Sequence, residues 1–171
     1  MNNASFSIRP LRIDEWKDLV RIRLEAVTMH PDYFLDTPEQ TLEIPETEWQ
    51  RRIHSDQSCA FGLFHNRELI GITGIFKAPD TPDVAKLVMS YIKPEYRGRG
   101  LSALFYQVRL EWARVQPDIK RLQVSHRKGN EASRKAILSH GFVLDSTEPR
   151  QWPDGTIEAD FIYYRDASTL S

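Results

Sequence analysis

Apolar and polar side chains alternate around Phe6 and Ile8, between Ser5, Ser7 and Arg9, so the chain opens with a half-buried strand that Pro10 ends. The period then lengthens. Trp16, Leu19, Val20, Leu24 and Val27 recur at helical spacing after Asp14, a residue type that caps helices, and the run stops before Pro31. From His30 to Thr47 no period holds, with Pro31, Pro38 and Pro45 interrupting, and Pro45 is placed to open a second helix carrying Trp49 and Ile53. Two apolar runs, 59–64 and 69–76, flank a polar turn containing Asn66 and read as a hairpin. A loop at 78–83 leads to another strand-like run, 84–92. Leu101, Leu104, Phe105, Val108, Trp112 and Val115 then share one helical face until Pro117 and Asp118. Leu122 and Val124 alternate with polar neighbours as a strand. Residues 130–140 read as a helix with Ala132, Ala136 and Ile137 inward and Gly141 as its stop. Residues 142–144 restart a strand, and after a turn at Asp154 and Gly155 the segment 156–164 alternates again. This order predicts an α/β fold: one domain over 1–171 with a mixed, mostly antiparallel sheet of about seven strands flanked by about four helices. The runs from Leu69 and Val84, apolar on both faces, belong at its centre.

A length of 171 residues is that of one domain, and 40% hydrophobic with 27% charged residues is a globular composition. Lys and Arg number 23 against 24 Asp and Glu, which excludes a global electrostatic grip on nucleic acid or an anionic membrane. The single cysteine, Cys59, cannot form an internal disulfide and sits beside Ala60 and Phe61 as a small core residue, which points to a reducing compartment. The start MNNASFSIRP lacks the basic and apolar parts of a signal peptide, and the longest apolar runs are strand-sized, so a cytoplasmic protein is expected. His30, His54, His65 and His140 show no ligand spacing and there is no CxxC or HExxH, so no metal site is expected.

Candidate chemistry concentrates in YIKPEYRGRGLS, residues 91–102, which joins a buried strand to an amphipathic helix through two glycines and two arginines. Gly98 and Gly100 let backbone approach a ligand, the first N–H groups of the helix point outward, and the helix dipole favours an anion there. Arg97 and Arg99 add charge-assisted donors. The alternative is an ordinary strand-to-helix turn with solvated arginines. The segment is neither a Walker loop nor a correctly spaced GxGxxG.

The order of strand, RGRGLS, long helix, strand and NEASRKAILSHGF resembles the GNAT N-acetyltransferase superfamily, small bacterial type, over nearly the whole chain. Its signature is Arg/Gln-x-x-Gly-x-Gly/Ala followed by Asn-x-x-Ala-x-x-x-Tyr and Gly-Phe; the RLEAVTMHPDYF segment and a closing PDGT turn with Asp160 are similar too. The resemblance implies acetyl-CoA as co-substrate. Arg97, Gly98, Arg99, Gly100, Leu101, Ser102 and Ala103 would form its pyrophosphate loop, Tyr91 and Ile92 the strand whose backbone pairs with the pantetheine arm, and Asn130 with Ser133 the helix start that contacts it. Three positions depart from the pattern: Ser102 stands for Gly or Ala, Ser133 for Ala, and Ile137 for a Tyr that protonates the departing thiolate in many members.

The run VAKLVMSYI offers Lys86 where the family often has a base Glu, leaving Tyr91 and His126 as candidate catalytic residues. His126 lies at the end of the next strand with a side chain whose usual pKa, about 6.5, suits a base; the competing readings are a loop histidine and a packed tyrosine whose backbone does the work. In such enzymes the amine also loses its proton through water, and a backbone N–H of the cofactor strand steadies charge on the thioester oxygen.

Charge is unevenly spread. Residues 24–50 hold seven acids and no Lys or Arg, whereas 93–135 hold eleven basic residues against four acids. The basic half suits polyanionic CoA. The acidic segment would suit a cationic amine held by some of Asp32, Asp36, Glu39 and Glu43, with Tyr33, Phe34 and Trp152 in contact, unless it is a solvated loop. The expected activity is direct acetyl transfer from acetyl-CoA to a primary amine of a small molecule or peptide in a ternary complex; the alternatives are a non-catalytic acyl-CoA-binding module and, more distantly, a nucleotide- or RNA-binding domain. Exposed strand edges would suit a homodimer.

Overall fold

Seven strands form one sheet: β1 (Phe6–Pro10), β2 (Ser58–His65), β3 (Glu68–Lys77), β4 (Val84–Ile92), β5 (Arg121–Arg127), β6 (Val143–Gln151) and β7 (Ile157–Asp166). The structure is a computed structural model describing residues 5–170; residues 1–4 and Ser171, part of the domain expected over 1–171, lie outside the described residues. The strand order is β1-β2-β3-β4-β5-β7-β6, antiparallel everywhere except between β4 and β5. Helices α1 (Trp16–Met29) and α3 (Glu46–Ile53) cover one face through Leu19, Ile22, Trp49 and Ile53. Helices α4 (Ser102–Arg114) and α5 (Glu131–Ser139) cover the other through Tyr106, Ala113 and Ile137. With both faces covered, β2 is buried at seven of its eight positions, which explains its continuous apolar run.

Three local readings are corrected. Asp14 does not cap α1: residues 13–15 form a 3-10 turn, and the Glu15 carboxylate instead accepts from the Arg12 N–H at 2.7 Å and both Arg9 Nη atoms at 2.8 and 2.9 Å. A fifth helix, α2 (Pro38–Glu43), lies in the segment read as irregular; Thr37 caps it reciprocally with Gln40 and Pro38 begins it. With Thr41 as its only buried residue, it has no apolar period to read. β6 extends far beyond 144 as an edge strand, mostly exposed and paired only with β7, which is why polar residues and Pro149 fit it.

The Arg9 side chain holds the Glu15 carboxyl down at about 2 from its usual 4.5, so its contribution to stability is complete above pH 4.5 and lost as pH falls toward 2. The melting temperature should drop across that window, and Glu15→Gln should flatten the acid limb while lowering stability at neutral pH. An unchanged acid limb in calorimetry would contradict this.

The feature that positions the site is a split between β4 and β5. Their parallel pairing spans only Val84↔Arg121, Ala85↔Leu122 and Lys86↔Gln123; residues 87–92 and 124–127 then diverge. A bulge lies within the diverging stretch of β4: Thr73 on β3 faces both Met89 and Ser90, because Ile72 pairs with Tyr91 but Gly74 with Val88, and Met89 takes φ 61°.

Candidate functional site

The unpaired end of β4 runs straight into the glycine loop. The Lys93 N–H bonds back to Ile70 O at 2.9 Å, so by strand alternation the polar groups of Ile92 turn toward the split, where Arg97 Nε donates to Ile92 O at 2.8 Å. Gly98 and Gly100 have φ 77° and 74°, and a Cβ on either would meet nothing within 4 Å. No described residue accepts from the backbone N–H groups of residues 98–102. Leu101, buried against Leu63, Ile70 and Phe105, anchors the turn. Open backbone donors, left-handed glycines and a helix N-terminus together fit a phosphate-bearing ligand. Arg99 packs over Phe6 and Tyr96 at 5.9 and 5.5 Å.

Beyond the loop, a cavity of about 740 Å³ passes through the split to the α1 and α3 side of the sheet. Tyr91, Ile92, Arg97, Ser102, Asn130 and Ser133 line it, whereas Gly98, Arg99, Gly100, Leu101 and Ala103 lie outside its lining. Asn130 caps α5 by accepting from the Ser133 N–H at 3.3 Å, which orients its amide. Tyr33, Phe34, Asp36 and Trp152 line the same cavity, so all four residues expected around the acceptor share one space with Tyr91, Ile92, Arg97, Ser102, Asn130 and Ser133.

The two candidate catalytic side chains line it too, but each already has partners. His126 Nδ1 lies 2.8 Å from Arg127 O, and because a carbonyl only accepts, Nδ1 carries the proton; Nε2 lies 2.9 Å from the Tyr163 hydroxyl. The Tyr91 hydroxyl donates to Glu25 Oε2 at 2.5 Å, and burial together with that carboxylate raises its pKa. Ile137 is buried in the wall and offers no proton. Cys59 also lines the cavity, and burial pushes its thiol up to about 11.

Of the seven acids in residues 24–50, Asp36 and Glu48 line the cavity, each paired with arginine. Asp36 is paired with Arg23 at 3.1 Å, and Asp32, Glu39 and Glu43 lie outside the cavity lining. Three arginines absent from the sequence reading, Arg23, Arg51 and Arg52, line that side, and Glu48 is held down at about 2 by the last two. Fully buried Arg109 also went unrecognised; its Nη1 donates to Ser90 Oγ at 3.1 Å, no carboxylate pairs with it among the described residues, and burial brings its pKa to about 10. A signal for both existed: Arg23 stands four residues from Leu19 and from Val27, and Arg109 four from Phe105 and from Ala113, charges inside apolar stripes.

The fold matches solved acetyltransferases. A GNAT-family acetyltransferase from Streptococcus pneumoniae superposes with a TM-score of 0.80 at 20% identity, over 94% of this chain and 99% of that one. The spermidine N-acetyltransferase of Vibrio cholerae, solved with CoA and spermine, gives 0.76 at 16% identity over 98% and 99%. The Salmonella typhimurium acetyltransferase that modifies the N-terminal serine of ribosomal protein L7/L12 gives 0.69 at 14% over 97% of each. No curated protein matches this sequence. The acetyltransferase (GNAT) domain profile, however, matches residues 6–143, most of the chain and all of the strand-loop-helix unit around Gly98 and Gly100; the chain belongs to the GNAT acetyltransferase family.

Proposed function

We propose that this chain moves an acetyl group directly from acetyl-CoA to a primary amine of a small molecule or peptide, both bound at once. The supporting observation is the single cavity that joins the flanks of the glycine loop at Arg97 and Ser102, the β4–β5 split and the Tyr33–Trp152 region. Acetyl-CoA supplies the activated thioester. Backbone N–H groups of residues 98–102 and Arg97 hold its pyrophosphate, the open edge of β4 at Ile92 aligns its arm beside Tyr91, and Asn130 and Ser133 line the opposite wall. Tyr33, Phe34, Asp36 and Trp152 orient the amine, so positioning supplies most of the rate. Direct transfer accords with Cys59: a thiol near 11 is almost entirely protonated at neutral pH.

The test follows thiol release from acetyl-CoA across an amine panel. Amine-dependent release with intersecting initial-rate patterns supports the reading. Cys59→Ala should retain near wild-type turnover, and loss of turnover with parallel rate patterns would replace direct transfer by a covalent route. Because both His126 nitrogens are already bonded, His126→Gln should keep the rate within about tenfold, whereas a positioned general base contributes ~100-fold or more. A larger loss, with the acid limb of the pH profile gone, would make His126 the base.

Ile137 in place of the tyrosine, with Tyr91 and His126 both engaged elsewhere, favours one second reading, an acyl-CoA-binding module without turnover. Thermal stabilisation by CoA without amine-dependent thiol release would select it.

A further inference from the structure

The charge of the acceptor is written in the wall that faces it. Arg23, 6% exposed, sits on the buried stripe of α1, its guanidinium 4.7 Å from the Phe34 ring centroid. Its Nη2 donates to Asp36 Oδ2 at 3.1 Å, but its Nη1 is the one buried side-chain nitrogen or oxygen among the described residues without a hydrogen-bond partner. Native interiors satisfy nearly all such groups, so an orphaned nitrogen on a guanidinium that lines the cavity calls for an acceptor, which another molecule can bring once the groups covering Nη1 move aside. Asp36 does not complete it, being half-exposed and bound to the other nitrogen. Arg52 on α3 adds to the excess: its charge repels Arg23, while Glu48 is shared between Arg51 and Arg52. This side of the cavity thus holds three arginines against two carboxylates, both already paired.

We propose that the acceptor amine carries a carboxylate, bound by Arg23 and Arg52, and that this acetyltransferase acts on amino acids or related amino carboxylates and discriminates against polycations. The proposal rests on the acetyl-transfer reading and names the substrate class of the same site. With Phe34 and Asp36 displaced, the two Nη atoms of Arg23 offer a carboxylate the planar fork that recognises it, and Arg52 supplies a second positive charge. Phe34 and Asp36, which cover Arg23, belong to the connection between α1 and α2 and not to a helix, so they can yield to a ligand without unwinding one. Spermidine-like acceptors have no counterpart here for such an excess of arginine.

The experiment compares acetyl-CoA thiol release with the L-α-amino acids, β-alanine, 4-aminobutanoate and 6-aminohexanoate, with the primary amide of each, and with spermidine. At least one acid should exceed its amide tenfold or more in kcat/KM. Arg23→Gln should collapse that acid-to-amide ratio toward one, mainly through KM for the acid, with CoA affinity reporting that the variant is folded. Should Arg23→Gln not fold, Arg52→Gln, a half-exposed position, should lower the same ratio. Amides or spermidine used as well as the acids by the wild type, or a ratio indifferent to both substitutions, overturns the proposal and leaves acetyl transfer standing. If no amine releases thiol, acetyl transfer fails instead; the anion site is then read by thermal stabilisation with N-acetyl-6-aminohexanoate against its amide. Stabilisation by the acid alone, lost in the variants, supports the site, and its absence overturns it.

Discussion

Gly100→Val should weaken CoA binding by on the order of 100-fold, about 2.7 kcal/mol, while leaving the sheet and its helices folded. Two effects act together. Residue 100 has φ 74°, a region a β-branched side chain rarely enters, and its Cβ points into open space beside N–H groups that have no acceptor in the described protein. The added side chain clashes with nothing in the free protein but stands where a phosphate must approach. Gly155→Val is the control: φ 88° and equally open surroundings impose similar strain in the β6–β7 turn. Calorimetric titration should show CoA affinity lost at position 100 and kept at 155. Retained affinity in Gly100→Val would contradict the phosphate cradle.

Arg127→Ala should raise the acceptor KM by roughly tenfold or more, the effect of losing about 1.4 kcal/mol of positioning, with the CoA dissociation constant changed little. Arg127, 7% exposed at the end of β5, donates to Asp32 O at 3.1 Å, Asp154 Oδ2 at 2.7 Å, Thr156 Oγ1 and Glu158 Oε1 at 3.1 Å, and lies 5.1 Å from the Trp152 ring centroid. It therefore ties the α1–α2 connection carrying Tyr33, Phe34 and Asp36 to the β6–β7 hairpin carrying Trp152. Without it the two walls of the acceptor region lose their common tie, and the melting temperature should fall by several degrees. Arg127→Lys should recover only part of the loss, because an ammonium cannot reproduce the guanidinium fork. Equal losses for CoA and acceptor would show a general structural role.

Much of this molecule was legible before folding because the physics involved is local. The alternation that marks β2, β3 and β4 and the stripe of Phe105 and its neighbours in α4 reflect burial on a face, which repeats with the backbone period. The glycine loop was equally legible, since a left-handed backbone before a helix constrains the residues at those positions themselves. Where burial was slight the pattern failed: α2 buries only Thr41, and β6 is an edge strand with little apolar content.

The charge around the Tyr33–Trp152 end of the cavity was not legible for a different reason. The chain alone determined an α/β domain with a glycine- and arginine-rich turn between β4 and α4, because period, glycine placement and charge density are properties of consecutive residues. Only the tertiary structure decided that β4 and β5 part after Lys86 and Gln123, that His126 is already bonded to Tyr163, and that the acidic run 24–50 meets arginines from α1 and α3. Those outcomes depend on which distant side chains share a low-dielectric space, where one pairing such as Arg23 with Asp36 cancels a charge that counting along the sequence leaves free.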